Sequence, residues 1–292
     1  MTDTVDPIGI LGTGRVAQTL GRLLSENGRP VAAIAGRNPG RTALAALFIG
    51  GRTTPVTIEE LPALSSHVLI AVSDRGVEPV AEILAKSGFR CGVALHTCGA
   101  KGPQALAVLE NQGISCGALH PIQSFASAEQ GVASVVGSSF GIDGNPEALR
   151  WASSIVALMG GRSLRISPQH RGLYHAAAVM ASSYIAALIY AAVAILAAAG
   201  VERSTALMAL APLVRTSGEN SLDLGPVEAL TGPIERGDNA TVLAHLEDLR
   251  SLPDPVRRLY CPAGELVVQM ASLRGLQHAK AAEIQEMLRT VQ

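Results

Sequence analysis

A glycine-rich segment near the start of the chain constrains the fold more than any other feature. Ile8–Leu11 is an apolar run of strand length, and Gly12, Gly14 and Ala17 follow it in the spacing Gly-x-Gly-x-x-Ala. A helical pattern of leucines then continues through Leu24. This order of strand, glycine turn and helix is typical of a βαβ unit that binds a dinucleotide.

Each small residue of this turn has its own role in such a site. Gly12 permits the tight turn, Gly14 lets the backbone approach a pyrophosphate, and Ala17 keeps the helix close to the sheet. The helix N-terminus offers unpaired N–H groups and a partial positive charge to the phosphates. We therefore expect cofactor contacts along the whole turn, from Gly12, Thr13, Gly14, Arg15, Val16 and Ala17.

The end of the second predicted strand, Pro30–Ala35, indicates which dinucleotide is bound. NAD sites normally carry Asp or Glu at this point for the ribose 2′-hydroxyl. Here the strand is followed by Arg37, Asn38 and Arg41, without an acidic residue. Because arginines form paired, charge-assisted hydrogen bonds with a 2′-phosphate, these three residues predict NADP(H). The alternative is that both arginines are simply solvated near a helix start.

Composition and charge exclude several classes of protein. The 292 residues are 48% hydrophobic and 16% charged, which is typical of an ordered chain long enough for two domains. A net charge of −1 argues against a nucleic-acid partner. The four cysteines form no Cys-x-x-Cys pair, and no secretory pattern is recognised. We expect reduced thiols, a cytoplasmic location and no metal site.

One apolar stretch could be mistaken for a membrane span. Residues 176–200 contain no charged side chain and are long enough to cross a bilayer. The stretch is mostly alanine, however, and alanine gives only a weak drive for insertion. We expect instead a long helix buried inside a soluble homodimer, without membrane contact.

Further apolar runs predict the rest of a mostly parallel, doubly wound sheet. Because ligands of open α/β sheets lie outside the carboxyl ends of the strands, residues at those ends are candidates for the cleft. Cofactor contacts are expected there from Val72, Ser73, Asp74 and Thr97. From Gln169 onward the pattern becomes helical. We therefore predict a Rossmann-like α/β domain over residues 1–165 and an all-helical domain for substrate binding and dimerisation over 166–292.

Three histidines and a tyrosine are the candidates for chemistry. A reductase needs a proton donor near the developing alkoxide or amine, and histidine titrates close to neutral pH. His96 and His120 end two predicted strands at the cleft, and Tyr174 and His175 lie at the start of the helical domain. For each histidine the alternative is a ring that is hydrogen-bonded to the backbone and catalytically idle. For Tyr174 it is a half-buried aromatic.

Polar residues elsewhere are candidates for binding the substrate. We assign this role to Ser124, Asn220 and Arg236, the last because an arginine can bind a carboxylate through two hydrogen bonds. The alternative for Ser124 is that it caps a turn. Asp238 is predicted to be a helix N-cap, and Cys98 a small buried residue.

Several motifs together resemble one bacterial family. They are Gly12–Ala17, His96–Ala100, His120–Phe125, Tyr174–Ala178, Ala229–Ile234 and Arg236–Asp238. The family pairs a Rossmann-like domain with a C-terminal helical domain of unknown function, and its members are commonly described as candidate NADP oxidoreductases. It is similar in architecture to β-hydroxyacid dehydrogenases, pyrroline-5-carboxylate reductase and ketopantoate reductase. The resemblance implies an NADP-dependent reductase of a small keto or imino acid, with ketopantoate as the first substrate to try.

The chain departs from those enzymes in one important respect. The hydroxyacid dehydrogenases and ketopantoate reductases use a lysine on the first long helix of the second domain. This chain has no lysine between Lys101 and Lys280. A lysine-based mechanism therefore does not carry over. Two other functions stay open: a dinucleotide-binding sensor or scaffold without turnover, and a reductase that uses a deazaflavin together with NADP.

Overall fold

The N-terminal half of the protein is built on one sheet. Its strands are β1 (Ile8–Leu11), β2 (Val31–Ala35), β3 (Thr54–Val56), β4 (His67–Ile70), β5 (Val93–His96), β6 (Ser115–Pro121), β7 (Ser139–Gly144) and β8 (Arg162–Arg165). In the computed structural model, which describes residues 6–290, these eight strands lie in the order β3-β2-β1-β4-β5-β6-β7-β8. The first six strands, β1 to β6, are all parallel. Strand β7 is antiparallel to β6, and β8 is parallel to β7. The predicted mostly parallel, doubly wound sheet is confirmed.

Helices cover both faces of this sheet. They are α1 (Arg15–Glu26), α2 (Pro39–Ile49), α3 (Val77–Lys86), α4 (Ala107–Glu110), α5 (Ala128–Val135), α6 (Pro146–Leu158) and α7 (Arg171–Val179). One core joins α1, α2 and α6 to the sheet through residues such as Ile10, Leu24 and Ile155. A second core packs α3 and α4 on the opposite face through Leu84 and Leu109. Both faces of the sheet are therefore covered by apolar side chains, as is usual for parallel sheets.

Local sequence signals begin several of these helices. Asn38 and Asn145 precede α2 and α6, and each side chain accepts a hydrogen bond from a backbone N–H three residues later. Proline follows at the first helical position in both cases, where it has no amide hydrogen to lose. The sequence -Asn-Pro- thus terminates the preceding strand or turn and starts a helix.

The C-terminal part is helical. Its helices are α8 (Ile185–Ala198), α9 (Arg203–Asp223), α10 (Asn239–Leu249), α11 (Asp254–Leu273) and α12 (His278–Thr290). The last three pack around a core that contains Val242, Val268 and Ile284. Asp238 caps α10, because its carboxylate accepts a hydrogen bond from the Thr241 N–H at 3.1 Å. The predicted helical region and the predicted N-cap are both confirmed.

The chain divides into two compact units, Met1–Val179 and Met180–Gln292. Helix α7 therefore belongs to the first unit, although the sequence pattern turns helical before it. The predicted boundary at residue 165 marks that change of pattern, at the end of β8. Tyr174 and His175 consequently lie in the same compact unit as the sheet.

One helical run, Pro168–Ala198, is long and apolar enough to cross a membrane by length and composition. Only 11% of its most apolar 18-residue segment is buried. Ile185, Leu188 and Tyr190 are among its exposed side chains. The single chain therefore leaves most of this helix uncovered, and its burial inside a homodimer stays a prediction.

The cysteines are all unpaired thiols: Cys91 is exposed, and Cys98, Cys116 and Cys261 are buried. Burial raises the pKa of Cys98 to about 11, which agrees with the prediction of a small buried residue. Within residues 6–290, no group of three or more His, Cys, Asp or Glu side chains is arranged to hold a metal ion.

Candidate functional site

The glycine turn between β1 and α1 has the geometry that the motif predicts. Gly12 has a φ of +123°, and a Cβ built on it would lie 2.1 Å from the Ala71 carbonyl oxygen. Its N–H donates to the Ala35 carbonyl at 2.8 Å. Only glycine fits this position, because the backbone passes between the ends of two neighbouring strands.

Gly14 differs from Gly12 in that it faces open space. A Cβ there would meet nothing within 4 Å, and Gly14 is the N-cap of α1 without a side-chain cap hydrogen bond. The first backbone N–H groups of α1 are thus left for a ligand rather than for a capping side chain. Ala17, three residues later, is 1% exposed and packs in the core, as expected for close contact between helix and sheet.

A cleft of about 970 Å³ opens above this turn at the carboxyl edge of the sheet. Ten of the thirteen predicted cofactor residues line it: Gly12, Thr13, Gly14, Arg15, Val16, Arg37, Val72, Ser73, Asp74 and Thr97. Ala17, Asn38 and Arg41 do not. Ala17 lies beneath the turn, and Asn38 uses its side chain to cap α2 at the Arg41 N–H. Of the two predicted arginines, only Arg37 reaches the lining.

These features fit a dinucleotide phosphate. The uncapped N-terminus of α1, with the space above Gly14, can take a diphosphate, and Arg37 supplies a cation at the end of β2. Arg15 is partly engaged, because its Nη1 donates to the Phe125 carbonyl at 3.1 Å. The residues present therefore suit a phosphorylated cofactor.

His120 and Tyr174 form a hydrogen-bonded pair beside this cleft. The Tyr174 hydroxyl lies 2.6 Å from His120 Nδ1, and the two rings meet edge to face. Burial lowers the pKa of His120 to about 4, with His175 and Arg171 acting in the same direction and Asp74 against it. Burial raises the pKa of Tyr174 to about 12, whereas Arg171 and a Gly141 backbone hydrogen bond lower it. At neutral pH both groups are therefore uncharged.

His175 completes a small group of side chains at the lining. His120 and His175 both line the cleft, with ring centroids 6.1 Å apart. Gly99, in the loop after β5, lies against both rings, since a Cβ there would lie 2.7 Å from His120 Nε2 and from His175 Cδ2. Three elements, the end of β6, helix α7 and the loop at Gly99, thus bring the two histidines together.

The prediction that His96 faces the cleft is wrong. His96 is 0% exposed, its Nε2 lies 2.9 Å from the Gly102 carbonyl oxygen, and its Nδ1 accepts from the Cys98 N–H at 3.2 Å. Burial lowers the pKa of His96 to about 4, although the bond with Gly102 opposes this. It is a neutral ring that ties the β5 loop to the strand, which is the alternative weighed for each histidine.

Sequence reasoning missed a buried charge next to the pair. Arg171, in the first turn of α7, is 3% exposed, and its Nη1 lies 3.6 Å from Asp143 Oδ2 on β7. An arginine at a helix start is usually solvated, so the sequence gives no sign of this burial. Gly141 was also missed: a Cβ there would lie 2.3 Å from the Tyr174 hydroxyl.

The predicted substrate residues are divided between the two units. Ser124 is exposed and does not line the cleft, although its neighbours Gln123 and Phe125 do. Asn220 is on α9, and Arg236 lies in the turn that precedes Asp238, so both belong to the second unit. Their role as substrate ligands stays a prediction.

Two family models match the chain, one after the other. Residues 3–121 match a Rossmann-like domain, and residues 138–266 match the domain of unknown function DUF2520. This pairing confirms the family resemblance inferred from the sequence. Among curated proteins, none matches the chain.

Solved structures share the fold over nearly the full length. A protein of Thermotoga maritima is 22% identical with a TM-score of 0.72, covering 91% of this chain and 99% of its own. A candidate NADP oxidoreductase of Bacteroides fragilis is 20% identical with a TM-score of 0.74, covering 90% and 97%. The pyrroline carboxylate reductase of Plasmodium falciparum, solved with NADP bound, is 13% identical with a TM-score of 0.60, covering 97% and 98%. At these identities the likeness establishes the fold.

Proposed function

The chain unites a Rossmann-like domain with a DUF2520 domain, and from this premise we propose that it is an NADP(H)-dependent reductase of a small keto or imino acid. The observation that carries the proposal is the composition of one cleft. Its lining includes both the glycine turn at the start of α1 and the rings of His120 and His175. Dinucleotide-binding geometry and candidate proton-handling groups therefore share one cavity, as a reductase requires.

Residues along the turn would hold the cofactor. The free N–H groups at the start of α1 would bind the diphosphate, and Arg37 would pair with a 2′-phosphate. Two structural relatives, an NADP oxidoreductase candidate from Bacteroides fragilis and the NADP-bound reductase from Plasmodium falciparum, support this choice of cofactor. When bound, the reduced nicotinamide supplies a hydride.

The residues of the chain supply the remaining requirements. His120 and His175 line the cleft where a carbonyl oxygen or imine nitrogen must receive a proton. Val72, Pro79 and Ile83 give the cleft an apolar side, which limits water around the reacting groups. Ketopantoate and cyclic imino acids are the first substrates to test, because they combine a reducible bond with a carboxylate of small size.

The cofactor assignment is tested by calorimetry with NADPH and NADH on wild type and two arginine variants. We expect Arg37→Ala to weaken NADPH binding about 10- to 100-fold. This corresponds to losing the binding free energy of one or two hydrogen bonds to a charged group. NADH binding should change little. Arg41→Ala is the matched control, since Arg41 lies outside the lining. Equal losses for both nucleotides would argue against a 2′-phosphate contact at Arg37.

Turnover distinguishes the reductase from the non-catalytic alternative. A screen of α-keto acids and cyclic imines should reveal NADPH oxidation that requires a substrate. Tight NADPH binding with no turnover, and no effect of replacing His120 or His175, would support a dinucleotide sensor instead. A second cofactor in the cleft of a soaked crystal would support the deazaflavin alternative.

A further inference from the structure

Arg171 is buried without the hydrogen bonds that a buried guanidinium normally makes. Its side chain is 4% exposed, and within residues 6–290 its Nε, Nη1 and Nη2 have no hydrogen-bond partner. The nearest carboxylate oxygen, Asp143 Oδ2, is 3.6 Å from Nη1, which is beyond hydrogen-bonding distance, and it too has no hydrogen-bond partner. Such an arrangement is poor for stability, because a buried pair offsets its desolvation only with good geometry. Stability alone therefore does not explain why an arginine is here.

The surroundings of Arg171 suggest an electrostatic role. Arg171 lies three residues before Tyr174 on α7, so both side chains are on one face of the helix. Tyr174 does not line the cleft, but its hydroxyl reaches His120 Nδ1, and the His120 ring does line it. A buried charge, a buried phenol and an imidazole in the cleft are thus neighbours, with the phenol bonded to the imidazole.

The positions of the Tyr174 and His120 protons can be assigned. Because the pKa of Tyr174 is about 12 and that of His120 about 4, the phenol keeps its proton and the imidazole is neutral at pH 7. The phenol has a short contact to Nδ1 at 2.6 Å and a long one to the His120 carbonyl at 3.5 Å. Because the contact to Nδ1 is the shorter one, we assign the phenol as its donor, which puts the single imidazole proton on Nε2.

We propose that Tyr174 and His120 form a proton relay into the cleft, and that Arg171 is the positioning residue that holds this relay in its reactive protonation state. The proposal rests on the proposed reductase function. His120 Nε2 gives its proton to the carbonyl oxygen or imine nitrogen of the substrate as the substrate carbon accepts hydride. The Tyr174 proton moves to Nδ1 in the same step, so His120 stays neutral and Tyr174 becomes a phenolate.

Protons and electrons balance in this scheme. The substrate gains two electrons and one proton with the hydride, and a second proton from the relay; the reduced nicotinamide dinucleotide is oxidised. The phenolate lies in the field of the Arg171 guanidinium, which compensates its charge until solvent returns a proton. Arg171 also disfavours an imidazolium at His120, which could not accept the Tyr174 proton at Nδ1.

Other charged and titratable groups act on His120 or on Arg171 and must be considered in any pH experiment. They are Asp74 after β4, His96 on β5, Cys98 in the loop that follows, Asp143 on β7 and His175 on α7. Only Asp74 opposes the other groups at His120 by favouring its charged form. Because replacing Arg171 leaves these five groups in place, a change in His120 titration can be assigned to the guanidinium.

The test uses nitrogen NMR of the histidine rings in cofactor-free protein, combined with pH–rate profiles. Wild-type His120 should carry its proton on Nε2 and titrate near pH 4. Arg171→Met should raise the pKa of His120 by about one pH unit, as expected when a nearby like charge is removed. The acid limb of kcat/KM should move upward by the same amount, because the neutral ring is the active form. Arg165→Met, which removes an exposed arginine on β8, is the matched control. It should change neither the pKa of His120 nor the acid limb of kcat/KM.

Further variants separate the possible outcomes. Tyr174→Phe should lower kcat at least tenfold and leave NADPH binding unchanged. Asp143→Asn keeps the guanidinium and should leave His120 titrating at or below the wild-type pH; it also serves if Arg171→Met does not fold. Normal turnover in Tyr174→Phe, or a proton on Nδ1 of His120, would overturn the relay while the reductase function stands. Absence of NADPH binding or turnover in the wild type would overturn the reductase function, and the NMR data would still decide the role of Arg171.

Discussion

The hydroxyl of Tyr174 reaches His120 because position 141 has no side chain. Gly141 pairs with His120 across β6 and β7, and a Cβ there would lie 2.3 Å from the Tyr174 oxygen. Its φ is not positive, so alanine is compatible with the backbone, and the main clash falls on the end of the Tyr174 side chain, with Ile166 Cγ1 at 3.2 Å. The φ of Gly99 is not positive either, and its Cβ would meet the rings of both His120 and His175. These glycines provide space, not backbone freedom.

We therefore expect Gly141→Ala to displace the tyrosine rather than to unfold the protein. The turnover number should fall at least tenfold, as in a variant without the phenol, while the melting temperature changes by a few degrees. Gly172→Ala on α7 is the control, because a Cβ there meets nothing within 4 Å. A crystal structure of Gly141→Ala that retained the 2.6 Å contact to Nδ1 would contradict this account.

The buried histidines make stability depend on pH. The pKa of His96 is about 4 in the folded protein, against an ordinary value of 6.5, so the unfolded chain binds the additional proton between these values. Its contribution is fully present above pH 6.5 and is lost as the pH falls toward 4. A difference of this size corresponds to about 3 kcal/mol. Urea midpoints measured at pH 7 and pH 4.5 should show a steeper loss for wild type than for His96→Gln.

The exposed His170 supplies the comparison for this experiment. His170→Gln should follow the wild-type profile at both pH values, since the side chain is solvated. If wild type and His96→Gln lost equal stability between pH 7 and pH 4.5, the ring would not be held neutral by the fold. Because the difference between two variants is measured, titration of the carboxylates cancels.

At the scale of elements, the turn between β1 and α1 separates folding from binding. Gly12→Ala puts a methyl group 2.1 Å from a backbone oxygen at a φ of +123°, so we expect a loss of several kcal/mol in the free energy of unfolding. The Cβ added in Gly14→Ala has no neighbouring atom within 4 Å, so this variant should fold normally. It should nevertheless weaken NADPH binding at least tenfold, because the methyl group occupies space above the helix N-terminus.

Urea unfolding and calorimetry on the two variants test this separation. Gly12→Ala should show the stability loss, and Gly14→Ala the binding loss with an unchanged urea midpoint. Wild-type affinity in Gly14→Ala would show that the diphosphate does not approach this residue. Gly172→Ala again gives the baseline for a glycine replaced in open space.

The sequence predicted most elements because their signals are local. Apolar runs predicted β1, β4 and β6, and Asp238 was predicted as a helix N-cap. The direction of β7 was not predictable, because an apolar run is the same in either orientation.

Strand register explains why only one of the two strand-end histidines reaches the cleft. His96 pairs with Ala118, so His120 lies two residues farther along β6 toward the edge of the sheet. That offset, about 7 Å, puts one ring in the cleft and the other under a loop.

At the scale of the whole molecule, helices α8 and α9 expose several large apolar side chains, and such side chains often mark an interaction surface when they lie together. Leu188 on α8 is 48% exposed, and Met208 and Leu213 on α9 are 68% and 63% exposed. Alanine dominates α8, so insertion into a bilayer would gain little. A second copy of the chain would bury the same side chains at about 1.5 to 3 kcal/mol for each large one.

We therefore expect the purified protein to be a homodimer in buffer without detergent. Sedimentation equilibrium should give twice the 30.1 kDa chain mass at micromolar concentration. Leu188→Glu and Met208→Glu should each shift the equilibrium toward monomer at least tenfold, because a carboxylate in an apolar interface is desolvated without a partner. Leu47→Glu on α2 is the matched control, since Leu47 is 78% exposed and belongs to the first unit. A monodisperse wild-type monomer, or a protein soluble only in detergent, would contradict the dimer, because each would leave the apolar side chains of α8 and α9 to water or to lipid.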